Sequence, residues 1–178
     1  MPTIPYEVRR IVTGLNAQGE SIVAFAGPCT NRREVEGWPG MFVNELWVTS
    51  ESPVDNTGSA DRALRPIRHD PTSRGTIFRV VEIPPETNLK VDAAATFAAM
   101  GSANQPTEKD KVKHFSMHKT NSIDYTVVIA GECTMLMEQG EQQLRQGDCI
   151  VQRGTAHAWA NRGVAPCVIA FILIDAIP

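Results

Sequence analysis

Two stretches near the C-terminus decide the fold: HKTNSIDYTVVIAGE at residues 118–132 and GDCIVQRGTAHAWAN at residues 147–161. Successive side chains of an extended strand point to opposite sides, so Asp124, Thr126 and Val128 fall on one face and Tyr125 and Val127 on the other. By the same parity His157, Trp159 and Asn161 share a face, and the small Ala158 and Ala160 suit a crowded opposite one. Gly131, Gly140, Gly147, Gly154 and Gly163 recur at intervals of seven to nine residues, the spacing of turns between short antiparallel strands.

The spacings Asp124-x6-Gly131, Gly154-x2-His157 and His157-x3-Asn161 resemble the two motifs of the cupin superfamily, G-x5-H-x-H-x3-4-E-x6-G and G-x5-P-x-G-x2-H-x3-N. The chain departs from them at three places. His118 stands alone where the family has a histidine pair, Asp124 replaces its glutamate, and Gln152 replaces its proline. The resemblance implies an all-β double-stranded β-helix, the jelly-roll barrel of small single-domain cupins, with extra N-terminal strands and one short helix. Residues 76–178 are expected to form the barrel, and residues 1–75 N-terminal strands and an irregular surface loop that extend it.

In such a barrel neighbouring strands bring His118, Asp124 and His157 to one level. Two imidazoles and a carboxylate with open positions suit a divalent metal, Fe first, with Mn, Ni or Zn as alternatives. The expected chemistry is dehydration, isomerisation or decarboxylation through an enolate, or oxidation with dioxygen, on a small oxygenated organic substrate. Tyr125 is a further catalytic candidate, and Gln152, Trp159 and Met135 are substrate-binding candidates. The same residues also admit metal-free catalysis, with His118 or His157 as general base and Asp124 orienting the imidazole. A non-catalytic barrel that only holds a small ligand is the rival from another class. Small cupins of this kind are commonly homodimers, so a second copy is the expected protein partner.

Outward from this core, residues 8–13, 21–25, 41–49 and 76–83 read as β-branched strands. Residues 50–76 are rich in Pro, Asn, Gly, Asp and Ser and read as a long surface excursion, with His69 exposed on it. Residues 91–100 form the one helix expected, with Asp92 at its start, followed by a polar bridge over 102–112. His114 reads as structural, and Trp38 and Trp47 as packing or subunit contacts.

The 178 residues carry 17 basic and 20 acidic side chains, net charge -3, so no global positive field favours nucleic acid or an anionic membrane. The longest apolar run, Val168 to Ile174, is seven residues, against the ~20 that a spanning helix needs. The first residues lack the basic-then-apolar build of a signal peptide, so a cytoplasmic location is the expectation. The four cysteines show no C-x-x-C spacing and are expected to be reduced.

Overall fold

The computed structural model describes residues 6–102 and 106–177. The expectation for the extreme N-terminus and part of the polar bridge, residues 103–105, lie outside the described residues. Eleven strands and two short helices are formed by the described residues: β1 (Arg9–Leu15), β2 (Ser21–Pro28), β3 (Arg32–Glu34), β4 (Phe42–Thr49), β5 (Thr76–Ile83), α1 (Ala93–Ala99), α2 (Glu108–Lys113), β6 (Ser122–Ala130), β7 (Glu132–Met137), β8 (Glu141–Arg145), β9 (Cys149–Arg153), β10 (His157–Ala160) and β11 (Cys167–Asp175). A six-stranded antiparallel sheet in the order β3-β4-β5-β11-β6-β9 and a three-stranded sheet, β10-β7-β8, form the all-β jelly roll. The β1-β2 hairpin forms a third, separate sheet.

Register and parity set what the large sheet turns inward. Across the strands Glu45, Arg79, Phe171, Thr126 and Ile150 lie in one row, and Ile77, Leu173, Asp124 and Gln152 in the next. The apolar part of this face, with Val81, Ile83, Val128 and Ile169 at 5% exposure or less, packs with Met135, Leu144 and Trp159 of the smaller sheet. Burying each such side chain contributes roughly 1.5–3 kcal/mol. The opposite parity puts Phe78, Ile172, Tyr125 and Val151 in a row on the outer face.

Turn chemistry closes the barrel. Gly131, at φ 73°, joins β6 to β7 with its Cα so close to Pro166 that a Cβ would lie 2.5 Å from that residue's carbonyl oxygen, a place only glycine fills. Asn161, fully buried, donates to the carbonyls of Ile83 (2.8 Å) and Ala165 (2.9 Å) and accepts from the Gly163 amide (3.0 Å), tying the β10–β11 loop to the end of β5.

Two expectations are corrected. The polar bridge contains the helix α2, capped by a reciprocal pair in which Thr107 and Asp110 each bond the other's backbone amide. The excursion of residues 50–75 is irregular as expected but is stitched to the barrel. Arg10 forms a two-pronged ion pair with Asp61, Asn31 donates to the carbonyl of Ala63, and the His69 amide donates to Met100 (2.7 Å). Ala63 is fully buried as a result. All four cysteines are free thiols.

Candidate functional site: a histidine-walled cavity inside the barrel

The inner face of the large sheet, the smaller sheet, α1 and the stitched excursion line a cavity of about 100 Å³. Arg79, Val81 and Ile83 of β5 run along one wall, Phe171 and Leu173 of β11 continue it, and Trp159, Phe97 and Met100 close other sides. The polar groups at its wall come from His69, His118, Arg79, Ser116, Thr96 and Trp38.

His118 and His157 are brought together by a single antiparallel bridge in which each residue's amide donates to the other's carbonyl, both at 2.9 Å. Their rings stand 4.4 Å apart between centroids. Each ring is anchored in the same way. The Nδ1–H of His118 donates to the Ser116 carbonyl (2.8 Å) and that of His157 to the Thr155 carbonyl (2.9 Å). A carbonyl can only accept, so the neutral tautomer is fixed and each Nε2 keeps its lone pair. Burial holds the His118 pKa well below its ordinary value, and the neighbouring His157 and His69 push it the same way, against the Ser116 carbonyl. Burial likewise lowers His157 to about 4, partly opposed by its bond to Thr155. Both imidazoles are therefore neutral at pH 7.

His69 completes the cluster, its ring 4.5 Å from that of His118 and its Nδ1 2.9 Å from Asp70 Oδ1. This corrects its expected exposure: the stitching of the excursion turns a histidine from a Pro/Asp/Ser-rich loop into the cavity wall. Trp38 packs in the hydrophobic core, as expected of it. It stands in the turn before β4 and lines the cavity, with Phe115 packed edge-on at 4.9 Å. Neither residue belongs to a strand motif. The only local signal for Trp38 is its place between Gly37 and Pro39-Gly40, a turn that holds a large ring.

The remaining candidates separate. Asp124 is buried on the inner face, where Ser122 Oγ donates to it at 2.6 Å; burial raises its pKa, opposed by that hydroxyl and by His69 and Arg79. Trp159 lines the cavity and meets the His157 ring edge-on. Tyr125 is corrected: strand parity turns it to the outer face, 46% exposed, away from the cavity. Gln152 is inward, directly across from Asp124, and its amide donates to the carbonyl and hydroxyl of Thr155 and closes the β9–β10 turn. Met135 pairs with Trp159 across β7 and β10 and packs in the hydrophobic core. His114 is structural, bonded to Ser116 Oγ (2.8 Å) and Glu86 (3.1 Å).

Two anchored imidazoles with free Nε2 atoms are the donors a divalent ion takes. The carboxylate half of the set does not join them as placed: among the described residues no three His, Cys, Asp or Glu side chains are positioned to hold one ion. The residues fit a metal in kind and not in arrangement.

No protein-family model matches the chain. It is 30% identical over 171 residues to phomopsin biosynthesis cluster protein D of Diaporthe leptostromiformis, covering 95% of this chain and 79% of that protein. It is 27% identical over 175 residues to the cupin-domain-containing oxidoreductase virC of Hypocrea virens, covering 95% and 76%. Among solved structures, the Cnp3 cupin domain of Schizosaccharomyces pombe superposes with a TM-score of 0.48 at 12% identity, over 96% of this chain and 89% of that one. With the jelly roll formed and the glycine, histidine and asparagine spacings in place on it, the curated cupin-domain-containing relatives identify the chain as a member of the cupin superfamily.

Proposed function

We propose that the protein is an enzyme acting on a small oxygenated organic molecule held in the cavity, with His118 accepting a proton from it. The observation that carries this reading is the setting of His118. It borders the cavity on one side and a crevice of about 270 Å³ on the other, with its tautomer fixed by Ser116. A neutral imidazole in that position can take a proton from a carbon next to a carbonyl and release it toward solvent. His157, its ring tilted at 54° against that of His118, packs behind it and keeps the ring in place.

The reading can be tested before the natural substrate is identified. A panel of small ketones incubated in D2O with the protein is followed by proton NMR for exchange at the α-carbon. Exchange above the buffer rate that falls roughly 100-fold in His118→Ala supports the reading; equal rates in the two proteins overturn it and favour a barrel that only binds.

A second reading, metal-dependent catalysis, is supported by the matched anchoring of both imidazoles. His118 and His157 would hold a divalent ion, with Asp124 the third ligand if it leaves Ser122. Such an ion would supply Lewis acidity or bind dioxygen. Metal analysis of untagged protein decides: stoichiometric Fe, Mn, Ni or Zn that is lost in His157→Ala, with a melting temperature raised by adding the ion, would put this reading first.

A further inference from the structure

Beside the paired imidazoles, a second set of reactive side chains meets at the same cavity. Ser116 Oγ lies 2.8 Å from His114 Nδ1, and His114 Nε2 lies 3.1 Å from Glu86 Oε1. The three come from separate places. His114 follows α2, Ser116 lies two residues on in the loop that leads to His118, and Glu86 stands beyond the end of β5. Ser116 is 7% exposed and borders the cavity.

The hydrogen bonds place every proton in this set. The Ser116 amide also meets His114 Nδ1, at 3.2 Å. An amide can only donate and a carboxylate accepts, so Nδ1 keeps its lone pair and Nε2 carries the hydrogen, which goes to Glu86. The Ser116 hydroxyl is then the donor to Nδ1. A hydroxyl that donates to a neutral imidazole, whose other nitrogen is bonded to a carboxylate, is the arrangement that makes a serine nucleophilic. Either ring nitrogen can serve as the base when the other carries the hydrogen. His114 also has a holding role, because the Met117 amide donates to its carbonyl (3.1 Å) and closes a turn around Ser116. That turn accounts for the contacts of Nδ1 and not for Glu86, which comes from 28 residues away and faces the far nitrogen.

We propose that Ser116 is a nucleophile, activated by His114 and supported through Glu86, that takes the acyl group of a small apolar ester entering the cavity. As Oγ bonds to the acyl carbon, its proton passes to His114 Nδ1. The bond from that carbon to the ester oxygen breaks, and the leaving alcohol takes the proton. Water then adds to the acyl carbon and gives a proton to Nδ1, and the Ser116 oxygen leaves and takes that proton back. Ester and water become acid and alcohol. Val81, Phe97, Met100 and Leu173 line the cavity and suit an apolar body, and about 100 Å³ is of the order that takes a single ring. The inference goes beyond the proton transfer proposed for His118 and makes no use of that ring.

Phenylmethylsulfonyl fluoride tests it on the full chain at pH 7, with phenyl acetate as the ester. The reagent carries one ring and leaves a stable sulfonyl group on a reactive serine as fluoride departs. Peptide mapping by mass spectrometry reads the site, and labelling at several reagent concentrations separates the maximal rate from the half-saturating concentration. The expected result is one sulfonyl group, on Ser116, with phenyl acetate hydrolysis lost in step with labelling. His114→Ala is expected to lower the maximal labelling rate roughly 100-fold, and Glu86→Gln to lower it less, each with the half-saturating concentration unchanged. A substitution that only loosened the loop would raise that concentration instead. The proposal is overturned by a wild-type chain with no sulfonyl group on Ser116, by equal maximal rates in wild type and His114→Ala, or by phenyl acetate hydrolysis that is absent or survives full labelling. The wild-type result stands even where a variant fails to fold. Labelling is read without ketones, so α-carbon exchange with no label on Ser116 would remove this inference alone, and a label with no exchange would remove the proton transfer at His118 alone.

Discussion

His157 shows how a residue in a sequence motif becomes a physical constraint. Its ring is 2% exposed, and its pKa drops from 6.5 to about 4, first because burial disfavours the charged form. The unfolded chain therefore takes up this proton at a higher pH than the folded one. Stability is fully present above about pH 6.5 and is lost as the pH falls toward 4, by up to about 3 kcal/mol from this group. His118 is shifted the same way and adds to the loss. Urea denaturation midpoints taken between pH 7 and pH 4 are expected to fall, and to fall less steeply in His157→Gln; an unchanged slope in that variant would mean that His157 titrates normally. That His157 faces inward was legible from Gly154-x2-His157 and the parity of β10. That His118 meets it was implied by the resemblance to the cupin motifs; that the two are joined through an isolated bridge, and that His69 joins them, was not legible, because neither contact leaves a local period in the chain.

At the scale of elements, strands were legible wherever alternation was strong. Thr76–Ile83 forms β5 at the expected bounds, and residues 91–100 contain α1 with Asp92 accepting from the Ala95 amide as its cap. Helix α2 was missed because it has no buried residue and so no apolar period, although Thr107-x2-Asp110 was a readable capping signal. The β10–β11 connection offers the clearest test of an element held by one side chain. Asn161→Ala removes three hydrogen bonds and leaves the carbonyls of Ile83 and Ala165 without this donor. The expected cost is about 3 kcal/mol in urea denaturation, with near-native far-UV circular dichroism. A loss below about 1 kcal/mol would mean that the loop is held by its backbone alone.

For the whole molecule, the outer face of the large sheet is the feature left without a covering layer among the described residues. Phe78, Tyr125 and Val151 are 40%, 46% and 56% exposed along one row, and Ile11, Leu15 and Val23 of the hairpin are 65%, 70% and 59% exposed. Strand β9 is also the edge of its sheet. Apolar rows beside an open edge are covered in stable proteins, and a second copy is the proposed cover. Sedimentation equilibrium at micromolar concentration is expected to give twice the 19.5 kDa chain mass, and the double variant Tyr125→Lys/Val151→Lys is expected to give the single mass. A monomeric wild-type chain would reject the dimer. The described residues contain no helix long and apolar enough to cross a membrane.

Alternation and glycine spacing specified short antiparallel strands and the inward faces of β6 and β10, because side-chain direction in a strand is a local property of the backbone; the jelly roll and the two histidines at its centre were implied by the resemblance to the cupin motifs. The third histidine, Trp38 and Arg79 reach the cavity through the register of β5 against β11, the ion pair of Arg10 with Asp61 and the bond from His69 to Met100. Those contacts join residues tens of positions apart and leave no period in the chain to read. Tertiary closure therefore decided which polar groups face the cavity and which, like Tyr125, face away.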